Sequence, residues 1–282
     1  MRLYVGNHVH LGTGVTAARL VGPAIGMEDV PSVDFVLLSH LHEDHFDRIV
    51  SSHLHPGMPI ISTPHAAQHL HSDGGFRADT LYALRTWESL EVTKEGTDAR
   101  IIITATPGKH VAGWFGAIND WATALPPVMG AVVEFGRVWD GVGAGEGEEG
   151  EGEGEGEGSR SDRNFRMYVS GDTLFYNGLK EIHTRFPTLD LALLHLGGMT
   201  LPVINVMLTM DAEQGVQMIH ALRPETTIPI HIDDYDLFKS GATEFRRAVD
   251  KAEMRDRVMF LERGGVYEFD VSRGIRKVSE EM

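Results

Sequence analysis

Cysteine is absent from all 282 residues, which excludes disulfides, thiolate metal ligands and cysteine nucleophiles. Long apolar runs are lacking too. Nothing in the sequence approaches the roughly 18 consecutive apolar residues of a membrane helix. The opening Met1-Arg2-Leu3-Tyr4-Val5-Gly6-Asn7-His8 has no apolar stretch long enough for a secretory signal. Together these absences lead us to expect a soluble, cytoplasmic protein. Positive charge is scarce: 25 Lys and Arg stand against 41 Asp and Glu, a net of −16. Seven of the glutamates sit in one Gly/Glu tract at 145–158; without them, −16 becomes −9. An acidic body of this kind does not attract phosphate backbones, which argues against a nucleic-acid partner.

The apolar fraction of 42 % is enough for a sizeable core. Runs rich in β-branched residues alternate with helix-patterned segments, as in a layered α/β protein. Strands are expected at 33–39 (VDFVLLS), 59–63, 100–106, 128–135, 165–170, 189–195 (LDLALLH), 227–232 (TIPIHI) and 257–261. Helices are expected at 64–71, 175–185, 211–222 and 242–252, with Asp211 as an N-cap and Pro224 beyond a stop. The Gly/Glu tract falls between the strands at 128–135 and 165–170. We therefore expect one domain over 1–282, with a disordered hairpin-tip insertion at about 141–163.

Fifteen histidines are the positive anomaly. Four candidate ligands fall within six residues in His40-Leu41-His42-Glu43-Asp44-His45, directly after the first expected strand. Imidazole and carboxylate donors suit zinc and related divalent ions. At a strand exit His40 and His42 project to one side, and Asp44 and His45 follow as the chain turns into a helix. HLHEDH resembles the H-x-H-x-D-H motif of the metallo-β-lactamase superfamily. His110, Asp172 (in Ser170-Gly171-Asp172) and His231 match its three remaining ligands in order, each at a strand end. The resemblance runs from about residue 34 to residue 261.

That resemblance implies a four-layer αββα sandwich. It also implies two ions: His40, His42 and His110 on one, Asp44, His45 and His231 on the other, and Asp172 bridging. Asp44 and Asp172 would then be catalytic as well as ligating. Zinc is the expected metal, with manganese as the alternative, and a hydroxide shared by the ions is the expected nucleophile. His42 in place of glutamate argues against the di-iron oxidoreductases of the superfamily. Aspartate at 172 and the lack of cysteine argue against true β-lactamases. The phrases SGDTLFYNGLKEI, LALLHLGG, LTMDAEQGVQMI and PIHIDDY most resemble the L-ascorbate-6-phosphate lactonase-like branch, which is related to N-acylphosphatidylethanolamine phospholipase D. Members of the superfamily open with two strands ending in an Asp-Pro or Asp-Gly turn, and this chain is expected to lack those strands.

His195, at the end of LALLH, is a candidate catalytic or supporting residue. Asp233, Asp234 and Tyr235 are candidate proton donors to a leaving group. Lys109, Trp114 and Phe115 are candidate pocket residues. His8 and His10 are read as plain polar residues of a loop, and His53, His55, His65, His69 and His71 as surface-helix histidines. His183 and His220 carry no functional expectation. The leading expectation is a hydrolase of a small lactone or related cyclic ester or amide. The competing readings are a phosphodiesterase acting on RNA or a phospholipid head group, and a non-catalytic metal-stabilised scaffold. Monomer and homo-oligomer both remain open.

Overall fold

The computed structural model describes residues 8–10, 16–111, 125–137, 164–201, 206–270 and 274–278. The Gly/Glu tract, Trp114 and Phe115 lie outside these residues, as do residues 1–7.

Two sheets face each other. The larger has six strands, β6 (Ser89–Thr93), β7 (Ala99–Pro107), β8 (Met129–Arg137), β9 (Phe165–Val169), β10 (Leu191–His195) and β13 (Thr226–Ile230), in spatial order β13-β10-β9-β8-β7-β6. The smaller is parallel: β3 (Val36–Leu37), β4 (Ile60–Ser62) and β5 (Leu81–Ala83). Ile61 of the small sheet and Leu84 just after β5 pack with Ile103, Ala105, Met129, Ala131 and Val133 of the large sheet. These side chains form the inter-sheet core by alternating inward along each strand.

Each sheet is covered on its outer face by helices. α1 (Arg48–His53) and α2 (Pro64–Ser72) flank β3–β5, where Phe46, Ile60, Leu70 and Phe76 are buried together. α3 (Lys180–Arg185), α4 (Ala212–Leu222) and α5 (Ala242–Lys251) cover the large sheet, with Tyr168, Ala192 and Leu194 packed against Ile182, Met218, Ile219 and Phe245. This is the expected αββα order.

Caps fix several helix starts. Asp47 accepts from the amides of Ile49 and Val50, Thr63 from Ala66 with Pro64 next in line, and Asp211 from Gln214. Each such cap contributes about 1 kcal/mol.

Several expectations need correction. Residues 257–261 form no strand: a 3₁₀ turn occupies Arg255–Arg257, and Val258 makes a single parallel bridge to Thr227. The apolar residues of this stretch face α5 instead, with Phe260 against Phe245 and under the Arg246 guanidinium. The helix expected from 175 begins only at Lys180, after a 3₁₀ turn at Asn177–Leu179.

His8 and His10 lie in a strand rather than a loop. β1 (His8–His10) pairs antiparallel with β2 (Thr16–Ala18), and Val9 and Ala17 are buried against Met199, Leu208 and Tyr235. β11 (Gly197–Leu201), β12 (Val206–Met207) and β14 (Phe238–Ser240) form a further small sheet beside this hairpin. The last hairpin, β15 (Val266–Asp270) and β16 (Gly274–Val278), was likewise not anticipated.

Candidate metal centre

The ligand cluster lies where strand ends converge. β7, β9, β10 and β13 all run in one direction, since β7 and β9 are both antiparallel to β8 and β10 is parallel to β9 and β13. Their C-terminal ends deliver His110, Asp172, His195 and His231. The exit of β3 delivers HLHEDH from the other sheet, and the Met129 amide donates to Ser39 O at 3.1 Å to join the two sheets at this edge.

Two backbone positions shape the cluster. Gly171 has φ +59°, and a Cβ there would sit 2.6 Å from Met129 O, so only glycine turns the chain tightly enough to lay Asp172 inward. His231 itself is left-handed at φ +55°, a conformation that costs a non-glycine residue energy and is commonest at functional sites.

The side chains form two adjoining groups, His40/His42/His110 and Asp44/His45/Asp172/His231, with the donor atoms in each within 4.8 Å of one another. All seven sequence-predicted ligands are thus brought together. In the first group the ring centroids lie 4.6–5.2 Å apart, and Nε2 of His40 is 3.0 Å from Nδ1 of His42. In the second, Asp172 Oδ2 is 3.1 Å from His45 Nε2, and Asp44 Oδ2 is 3.3 Å from His231 Nε2. Asp172 Oδ2 also comes within 4.0 Å of His40 Nε2, so this carboxylate touches both groups.

Charge is arranged differently in the two groups. Burial holds His40 and His42 below the ordinary histidine range and His110 down to about 4. Burial also opposes charge on His45 and His231. There, however, Asp172 and Asp44 outweigh it, raising His45 and lifting His231 to about 9. Burial likewise works against the two carboxylates, yet the neighbouring imidazolium groups hold Asp44 low and Asp172 well below the carboxylate range.

The decisive feature is what these atoms do not bond. His42 Nε2 and Asp44 Oδ1 are buried without a hydrogen-bond partner among the described residues, and His45 Nε2 and Asp172 Oδ2 have only each other. Native proteins rarely leave buried polar atoms unsatisfied. Buried nitrogen and carboxylate donors lying mutually close fit divalent-cation binding.

The supporting contacts were not legible in the sequence. Ser39 Oγ lies 3.0 Å from His40 Nδ1, and Leu196 O accepts from His231 Nδ1 at 3.2 Å. Each fixes which nitrogen of its histidine faces the cluster. Phe238 packs against the His231 ring with centroids 4.7 Å apart.

His195 stacks behind His45 and His231 at 5.6 and 5.7 Å, with its Nδ1 3.3 Å from Ser170 Oγ, and burial holds it down to about 3. A cavity of about 110 Å³ lies beside it, lined by Ser39, His45 and Met129 among others. A larger groove of about 860 Å³ between α4 and α5 includes no cluster residue.

The candidate proton donors are placed elsewhere. Asp233 is exposed, and both its oxygens lie 3.2 Å from the Ala242 amide at the start of α5, so its carboxylate serves that helix end rather than the cluster. Asp234 pairs with Arg263 at 3.6 Å, and the Tyr235 hydroxyl accepts from Arg19. Lys109 lies over the Tyr176 ring at 5.3 Å.

The family model for the beta-lactamase superfamily domain matches residues 11–138. Among solved structures, a possible metal-dependent hydrolase from Veillonella parvula superposes with TM-score 0.65 at 18 % identity, covering 87 % of this chain and 79 % of that one. The isothiocyanate hydrolase from Delia radicum gut bacteria gives 0.64, with the same identity and coverage. The fold is that of the metallo-β-lactamases. Among sequence relatives, the UPF0173 metal-dependent hydrolase of Nanoarchaeum equitans is 24 % identical over 80 % of this chain and 81 % of its own length. That of Anaeromyxobacter dehalogenans is 25 % identical over 80 % and 69 %. Among the described residues of this metallo-β-lactamase-fold chain, no helix is long and apolar enough to cross a membrane.

Proposed function

We propose that the protein is a binuclear metal-dependent hydrolase. The observation that carries this reading is the convergence of seven buried or part-buried imidazole and carboxylate donors in two adjoining groups, with Asp172 near both. His40, His42 and His110 would hold one cation; Asp44, His45 and His231 would hold the other, with Asp172 between them. The nitrogen-rich donor set suits zinc, with manganese as the alternative. Such ions would make a shared water acidic and polarise the scissile bond.

The chain's own residues prepare this chemistry. Burial keeps the three imidazoles of the first group neutral, so their lone pairs are available without expelling protons. Asp44 and Asp172 remain anionic and offset part of the incoming positive charge. Ser39 and Leu196 O orient His40 and His231. His195 is a neutral positioning residue packed against His45 and His231. Asp233 acts through the start of α5 rather than as a proton donor.

For the substrate we favour a small lactone or related cyclic ester or amide. This rests on the resemblance of SGDTLFYNGLKEI and PIHIDDY to the lactonase-like branch, and on an acidic composition unsuited to polyanions. The test is turnover of a panel by metal-depleted and zinc-restored protein. The panel holds lactones, a cyclic amide, a phosphodiester, and an isothiocyanate, the substrate class of one structural relative. The reading expects lactone hydrolysis that appears with zinc and vanishes on chelation. Full zinc occupancy without turnover of any member would overturn it in favour of a scaffold.

A further inference from the structure

The outer-layer histidines near the cluster are of two kinds. Three have a ring nitrogen engaged by the backbone: His53 donates to Ile49 O at 2.8 Å, His55 accepts from the Gly57 amide at 3.0 Å, and His71 donates to Phe76 O at 3.0 Å. His65 and His69 instead meet each other. Four residues apart on α2, they share one helix face, and their ring centroids are 4.5 Å apart. Among the described residues this is the only contact between histidine rings that involves no member of the cluster or His195.

Two further details point to a ligand. His69 Nδ1 donates to Asp73 Oδ2 at 3.0 Å, which leaves its Nε2 as a lone-pair donor. A carboxylate behind an imidazole is how metal-binding histidines are usually oriented. His65 Nδ1 is buried and has no hydrogen-bond partner among the described residues. Burial and the adjacent His69 both lower the pKa of His65, so its ring is neutral and able to ligate at neutral pH.

The location follows from the sheet. β3 and β4 are parallel with Leu37 opposite Ile61, and Ser62 Oγ donates to Leu38 O at 2.7 Å. Both strands therefore exit at the same edge, one into HLHEDH and the other into Thr63-Pro64-His65. His65 is near enough to act electrostatically on His42.

We propose that His65 and His69, the latter oriented by Asp73, form a separate site for a borderline divalent cation such as zinc at the rim of the ligand cluster. Two imidazoles at i and i+4 on a helix are a recurrent zinc-holding pair, because nitrogen donors one turn apart reach a common ion. With only two protein ligands and water completing the shell, this site is weaker and more exchangeable than the cluster. It stands apart from the two-ion reading, because it depends on no residue of the cluster.

Zinc equilibrium dialysis of the full-length protein near neutral pH tests it, read as bound equivalents against free zinc. Wild type should show one weak equivalent beyond any tight ones. His69→Ala and His65→Ala should each lose that weak equivalent, His71→Ala should keep it, and Asp73→Ala should weaken it by about 10- to 100-fold. His69 is half-buried on the helix surface, so its removal leaves the core in place and the comparison decidable even if His65→Ala folds poorly. If the tight equivalents are missing from every protein, the two-ion reading fails while the rim site is still scored by the His69 difference. Identical isotherms for wild type and His69→Ala, or loss of the same equivalent in His71→Ala, would overturn the proposal.

Discussion

In the His40/His42/His110 group burial disfavours charge on all three imidazoles, whereas in the Asp44/His45/Asp172/His231 group two carboxylates favour charge on two imidazoles against the same burial. Without ions, the first group is three crowded imidazoles with no carboxylate among them, and the second sets carboxylates against imidazoles at 3.1–3.7 Å. In the proposed two-ion reading, one half would take up a cation by filling an empty nest, and the other by exchanging protons for a metal. The carboxylate that comes near both, Asp172, would couple the two events.

Removing that coupling should have the largest effect. Asp172→Ala is expected to abolish hydrolysis and to lower the affinity of at least one ion by more than the roughly 10- to 100-fold typical of outer partners. Metal analysis and steady-state rates check this. Two tightly held ions with undiminished turnover would show that another residue links the halves.

Ser39→Ala probes the first half alone. It leaves His40 Nδ1 without its 3.0 Å partner, so one ion should weaken by about 10- to 100-fold while the other is retained. Equal loss of both ions would erase the distinction between the groups.

Protons probe the second half. His231, raised to about 9 in the ion-free protein, contributes stability that is fully present below its unfolded value near 6.5. That contribution is lost as pH rises towards 9, so ion-free protein should melt progressively lower across this window. Zinc-loaded protein should show the reverse trend, because its ligands must be deprotonated. Calorimetry in buffers of different ionisation enthalpy should register proton release on loading at neutral pH. A buffer-independent heat would contradict the assignment.

The smallest expected effect is that of Asp233→Ala, which removes a carboxylate from the start of α5. It should cost about 0.3–1 kcal/mol of stability, read by denaturant melts. The pH profile of turnover should be unchanged; a lost alkaline limb would restore Asp233 as the proton donor.

The sequence makes the ligands and the long strands legible for the same reason. HLHEDH concentrates four donors where random placement would scatter them; β7 and β8 carry β-branched runs, and β10 is a mostly buried apolar run, Leu-Ala-Leu-Leu. β3 was expected as seven residues and pairs over only two, because Ser39 and Leu38 turn their carbonyls to Met129 and Ser62 at the cluster edge. β5, β12 and β14 are two- or three-residue strands, too short for any periodicity to register. Sequence spacing sets Asp233 two residues from His231, beside the cluster. The left-handed backbone at both positions instead turns it towards α5, a change of direction that sequence spacing does not encode. Ser39, Ser170 and the Leu196 carbonyl act through partners that come together only in the folded chain.

Anomalous diffraction at the zinc edge from zinc-loaded crystals tests the central claim most directly. The account predicts two peaks in the cluster, one among His40, His42 and His110 and one among Asp44, His45 and His231, with Asp172 contacting both. A single peak, or none, at these residues in zinc-saturated protein would contradict it.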